Sequence, residues 1–149
     1  MAKTTASLDI PRSPDRVWRL IGGFGSLPDW LPYIPESELS EGGRVRRLTN
    51  QDGGIIVERL QAFDHEARSY SYAIEQALFP VTGYLSTLRV HAVPGRPDAS
   101  RVEWSGTFIP VGVSDTDAEE LFHGIYADGL AALLKTVSGT ASEKASGSV

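Results

Sequence analysis

Between Glu36 and Ile109, apolar and polar residues alternate with a period of two, interrupted only by short turn sequences. Val45–Thr49, Gly54–Phe63, Arg68–Gln76, Tyr84–Val93 and Ser100–Ile109 read as strands rich in Val, Ile, Tyr, Thr and Phe. The links Asn50–Gly54, Asp64–Glu66 and Pro94–Asp98 carry residues whose side chains favour turns. A parallel crossover needs about a dozen residues or more, so links this short join antiparallel neighbours. The chain is committed to a meander whose apolar face has to be covered.

One later segment is long enough to cover it. Ser114 is placed as an N-cap with Asp117 three residues on, and Glu119 and Glu120 add negative charge to the first turns. Ala118, Leu121, Phe122, Ile125, Gly129, Ala132 and Leu133 then recur at helical spacing through Val137. Ahead of the meander, Ala6–Ile10 reads as a short strand ending at Pro11. Ser13-Pro14-Asp15 starts a helix that buries Val17, Trp18, Leu20 and Ile21 and stops at Gly22-Gly23. Phe24–Leu31 reads as a second short helix, closed by Pro32. The expected fold is α+β: a curved antiparallel sheet of six or seven strands around a long C-terminal helix, with two short helices after the first strand. Residues 6–137 are expected to form one domain, with a frayed start and a disordered tail at 138–149.

Composition removes several functions. The net charge of −5 with no Lys/Arg cluster argues against nucleic acid, whose phosphates have to be neutralised. Without cysteine there is no disulfide, thiolate metal site or Cys nucleophile. His65, His91 and His123 show no ligand spacing, so neither a metal nor another cofactor is expected. Gly22-Gly-Phe-Gly25 follows a helix where a dinucleotide fingerprint would follow a strand. No apolar run approaches the ~20 residues of a membrane span, and the start lacks an apolar signal core, so no membrane insertion and a cytoplasmic location are expected. A homodimer stays open.

Alternation places Ile56, Glu58, Leu60 and Ala62 on one face, with Tyr70, Tyr72 and Ile74 on the next strand. Tyr84, Ser86, Leu88 and Val90 follow, and then Trp104, Gly106 and Phe108. An aromatic and aliphatic wall with a few polar points has the make-up of a ligand cavity. Glu58 is the odd member, a carboxylate in phase with apolar neighbours, and burial alone would raise its pKa. It needs a partner, water or a ligand.

The segments Val17-Trp18, Trp30–Ile34, Gly42–Leu48, Val57–Leu60, Tyr70-Ser-Tyr72, Tyr84–Ser86, Val102–Trp104 and Ile125-Tyr126…Gly129-Leu130 together resemble the polyketide cyclase/dehydrase branch of the START-like (SRPBCC) superfamily. The resemblance implies a helix-grip fold and a cavity between sheet and long helix for a hydrophobic or amphipathic small molecule. Plant abscisic-acid receptors share the superfamily, and Glu58-Arg59-Leu60 with Tyr84-Leu85-Ser86 is similar to their pocket-lining stretches. By that likeness Phe122, Tyr126 and Leu130 face the cavity. Asn50–Gly54 and Ala77–Pro80 lack the receptors' gate and latch motifs, which argues against a hormone-receptor role.

The expected ligand-binding wall is thus Ile56, Glu58, Leu60, Tyr70, Tyr72, Ile74, Tyr84, Ser86, Leu88, Trp104, Phe108, Phe122, Tyr126 and Leu130. Binding of a hydrophobic small molecule is the first functional reading. The second is a cyclase or dehydratase in which Glu58 and Tyr84 move protons and Arg46 stabilises an enolate oxygen. The third is a protein-interaction module of the same fold.

Overall fold

The computed structural model describes residues 1–147, with side chains as far as residue 138. The elements are β1 (Ala2–Ile10), α1 (Pro14–Ile21), β2 (Glu36–Ser40), β3 (Val45–Thr49), β4 (Ile55–Asp64), β5 (Ser69–Gln76), β6 (Val81–Val93), β7 (Arg96–Pro110) and α2 (Asp115–Gly147). The seven strands form one sheet in the order β1-β7-β6-β5-β4-β3-β2, and every pair is antiparallel. The chain crosses from one edge to the other between β1 and β2. α1 and a 3-10 turn at Leu27–Asp29 occupy that crossing.

Local chemistry accounts for both helix starts. Ser13 Oγ accepts from Arg16 N–H with Pro14 in the first turn, and Ser114 Oγ accepts from Asp117 N–H at 3.0 Å. α2 then lies over the concave face of the sheet, burying Ala118, Phe122, Tyr126, Leu130 and Leu133 against β-strand residues such as Leu88, Val102 and Phe108.

Four expectations change. The start is not frayed: β1 begins at Ala2 and pairs through Ile10 with β7, from Ala2 opposite Phe108 to Ile10 opposite Ser100. The second short helix is only the Leu27–Asp29 turn, since Pro28 and Pro32 leave no room for a longer ladder. Glu36–Ser40 is an edge strand, mostly exposed and polar, so its pattern marked no buried face. A bulge between Leu60 and Ala62 reverses the phase of β4; Ala62 is exposed, and Phe63 packs on Trp18 at 5.5 Å. The expected tail lies, from residue 139 on, outside the residues described with side chains.

Two glycines set how closely α2 approaches the sheet. A Cβ on Gly129 would come within 2.6 Å of the Trp104 ring, and one on Gly106 would strike the Tyr126 hydroxyl. Between them the Trp104 and Tyr126 rings stack with centroids 5.1 Å apart. Gly124 has nothing within 4 Å of the position its Cβ would occupy. Two substitutions in one helix should therefore have opposite signs. Gly124→Ala is expected to stabilise by about 1 kcal/mol through helix propensity. Gly129→Ala is expected to destabilise by about 1–3 kcal/mol through overpacking. Urea unfolding of the two variants checks the pair.

Candidate functional site

The site begins with register. In the β3–β4 pair, Arg46 stands directly opposite Glu58, and both side chains turn to the concave face. Arg46 is 1% exposed and Glu58 7%. Arg46 Nε donates to Glu58 Oε1 at 2.8 Å, and Nη2 approaches the same oxygen at 2.7 Å. Nη1 donates to the Phe24 carbonyl at 3.0 Å and to the Tyr70 hydroxyl at 3.2 Å. The guanidinium also lies 4.2 Å from the Phe24 ring centroid and 4.7 Å from that of Tyr72. Burial raises the Glu58 pKa and Arg46 pulls it down, with burial the larger effect. Burial also works to lower the Arg46 pKa, but Tyr70 and Glu58 outweigh it and hold the guanidinium charged. Glu58 Oε2 has no hydrogen-bond partner among the described residues.

A hydroxyl cluster faces the pair across the concave side. Ser86 Oγ donates to the Ser105 carbonyl at 2.8 Å. The Trp104 indole N–H reaches both Tyr72 Oη and Ser86 Oγ at 3.1 Å, and the Tyr84 and Tyr126 hydroxyls bond to each other. Burial, as the largest cause, pushes the phenol pKa values of Tyr72, Tyr84 and Tyr126 upward, so all three stay protonated donors.

The enclosed space here is small, about 70 Å³. Polar Arg46, Glu58, Tyr72, Tyr84, Trp104 and Tyr126 line it together with Ile56, Ile74 and Phe122. Leu27, Leu31, Ile34, Leu48, Phe79 and Ile125 complete the wall and were not expected there. Ligand pockets measure about 300–1,000 Å³, so the hollow interior expected from the resemblance is mostly filled by side chains. Phe122 meets Phe108 at 4.7 Å and Tyr84 at 5.0 Å between ring centroids, and Phe79 abuts Phe122 edge-on at 5.2 Å. Ile74, Phe79 and Ile125 are the cavity's half-buried lining residues.

Five expected wall residues lie behind the cavity. Leu88, Phe108 and Leu130 are core, Leu60 packs against that core past the β4 bulge, and Tyr70 supports Arg46 between Trp18 and Phe24. Ser86 is fully buried and touches the cavity only through Trp104 and Tyr72. Arg46 was assigned to a reacting oxygen, but its donors are already directed at Glu58, Phe24 and Tyr70. Period-two counting could not reach Leu27, Leu31 and Ile34, which sit on the crossing between the sheet edges. Their signal is local: three apolar residues spaced among prolines.

A wider cleft of about 500 Å³ lies at the other end, between the β1–α1 link and α2. It is a surface feature carrying both signs of charge, and its Arg12 donates to the Val137 carbonyl at 3.0 Å, so no set of buried polar groups converges on it. Among the described residues, no three His, Asp or Glu side chains gather as a metal site, and no helix is long and apolar enough to cross a membrane. His65 Nδ1 accepts from the Trp18 indole at 2.9 Å, tying α1 to the β4–β5 turn.

The family described as polyketide cyclase/dehydrase and lipid transport matches residues 1–138. The chain belongs to this family. Among solved structures, the protein XoxI from Bacillus cereus is 60% identical with a TM-score of 0.87, over 91% of this chain and 94% of that one. A protein from Bacillus thuringiensis is 59% identical with a TM-score of 0.87, over 89% and 96%. The Zhui aromatase/cyclase from Streptomyces sp. R1128, 16% identical with a TM-score of 0.71 over 96% and 94%, shares the fold. The search of curated proteins finds no match. The family membership fixes the helix-grip fold and a polyketide cyclase-like class.

The buried pair yields a stability test. Glu58→Gln leaves the Arg46 charge uncompensated and is expected to cost about 3–5 kcal/mol. The double variant Arg46→Met/Glu58→Leu should recover most of that loss, because apolar residues of similar volume replace both charges. Chemical denaturation of the single and double variants measures the difference.

Proposed function

We propose that this protein binds a small amphipathic molecule at the Glu58–Tyr72–Tyr84–Tyr126 end of the interior, with the apolar part of the guest toward Phe79 and Ile125. The observation that carries this reading is Glu58, a carboxylate only 7% exposed on the cavity wall, whose contacts with Arg46 both fall on Oε1 and leave Oε2 for a guest. Family membership and the aromatase/cyclase fold neighbours support a small-molecule role. Admission requires outward movement of half-buried lining residues such as Phe79 and Ile125, because the enclosed 70 Å³ is too small as it stands.

Binding without turnover is favoured by the state of the candidate acid and base. Tyr84 is driven by burial away from the pKa of a useful acid at neutral pH, and the Glu58 charge is already drawn to Arg46. The cyclase or dehydratase alternative rests on Glu58 Oε2 as a proton acceptor.

Native mass spectrometry of the protein purified from its own host tests the proposal. A released small molecule is expected, and Ile125→Trp should reduce its occupancy at least tenfold. A bare mass spectrum together with unaltered behaviour of Ile125→Trp overturns it. A molecule returned chemically changed after incubation identifies an enzyme instead.

A further inference from the structure

Two side-chain links of different chemistry tie α1 to the β4–β5 turn. In the first, Arg68 donates from Nε and Nη2 to Asp15 Oδ1 at 3.0 and 2.6 Å. In the second, the Trp18 indole N–H donates to His65 Nδ1 at 2.9 Å. The hydrogen bond with Arg68 holds the Asp15 carboxyl below the usual carboxylate range, and a guanidinium stays charged at every pH of interest. The first link is therefore the same at pH 8 and at pH 5. The second depends on a proton.

An indole N–H can only donate, so His65 Nδ1 has to present a lone pair, and the neutral ring keeps its hydrogen on Nε2. An imidazolium carries hydrogens on both nitrogens. Protonation thus sets two N–H donors against each other across 2.9 Å, and the bond is lost. His65 is exposed, so the proton reaches it directly and the ring has room to turn. Trp18 is only 5% exposed, and no second acceptor meets its indole N–H among the described residues. The turn itself is fixed, because Ala67 N–H donates to Asp64 Oδ1 at 3.0 Å and Arg68 N–H to the His65 carbonyl at 3.2 Å. The charged groups around the imidazole are Asp15 and Arg19 on α1, Asp64, Glu66 and Arg68 on the turn, and Arg89 of β6 opposite Ser69. Asp15 lies close enough for its charge to interact with that of His65, so the protonated ring has a carboxylate to turn toward.

We propose that His65 is a proton-operated latch on α1: neutral, it holds Trp18 to the β4–β5 turn, and protonated, it releases the indole and leaves the Asp15–Arg68 pair to hold the helix there. The latch sits one ring away from the buried ion pair. Trp18 packs on Tyr70 with centroids 6.3 Å apart, and the Tyr70 hydroxyl accepts from Arg46.

The three tryptophans give three indole N–H resonances, so NMR of the full chain reads the latch directly. The window runs from pH 8 to pH 5, where imidazoles titrate. The Trp18 indole resonance is expected to shift with the same midpoint as the His65 ring. Its hydrogen-exchange rate, divided by that of His65→Asn at the same pH, should rise about fivefold between pH 7.5 and pH 5.5 as one hydrogen bond is lost. His65→Asn keeps a side-chain acceptor and has nothing to titrate, so its Trp18 resonance should stay in place across the window. His65→Phe removes the acceptor altogether, and its Trp18 indole should exchange about fivefold faster than wild type already at pH 7.5, with no step at lower pH. A Trp18 resonance that stays put while His65 titrates, or that moves equally in His65→Asn, overturns the latch. A His65 ring that shows no titration in this window overturns it as well.

Discussion

A buried ion pair organises the interior. Arg46 and Glu58 are cross-strand neighbours, so strand register alone brings them together on the concave face, where neither is tolerable without the other. The charges are drawn to one carboxylate oxygen, and the remaining arginine donors reach the loop carbonyl of Phe24 and the Tyr70 hydroxyl. The arginine thereby ties the crossing segment after α1 to β3, β4 and β5. Tyr70 is held in turn by Trp18 and Phe24, and Trp18 by His65. Such a pair is weak evidence for stability, because desolvation of both ions offsets much of their attraction. Its structural consequence is directional: both arginine contacts fall on Oε1, and Glu58 lines the small cavity between sheet and helix.

The second constraint is steric. Gly106 and Gly129 let the Trp104–Tyr126 stack close between sheet and helix, and Phe79, Phe108 and Phe122 fill most of what a helix-grip fold could leave open. The polar groups converge as in a binding site, while the volume is that of a core. Both belong to one design if aromatic side chains occupy the guest's place when it is absent. Ile74, Phe79 and Ile125 are the lining residues whose burial is incomplete, so they can move with least loss of contact.

Much of this was legible in the residues. Period-two spacing specified the meander and the concave face of β5, β6 and β7, because those strands are regular and buried on one side. Helical spacing after Ser114 identified α2 and its inward Ala118, Phe122 and Leu133, while Tyr126 and Leu130 were implied by the family resemblance; Leu121, on the same expected face, is exposed. Glu58 stood out as a charge in an apolar phase. What escaped were non-local facts. β1 reaches back to Ala2 because β7 is long enough to pair with it, which no property of Ala2–Thr5 announces. The β4 bulge moved Ala62 out and Phe63 onto Trp18 by one unpaired residue. Arg46 looked available for chemistry because its partner lies twelve residues on, across a turn whose register was not fixed by composition. Cavity volume depends on how rings interlock, and alternation carries no information about that.

The two constraints act on one another. Aromatic packing lowers the local dielectric around the ion pair, which makes an additional unpaired charge there more unfavourable than it would be in an open pocket. Enlarging the cavity by removing rings would therefore admit water beside Glu58 and Arg46 and weaken their attraction. The same Phe and Tyr side chains thus set both the size of the space and the strength of the Arg46–Glu58 attraction.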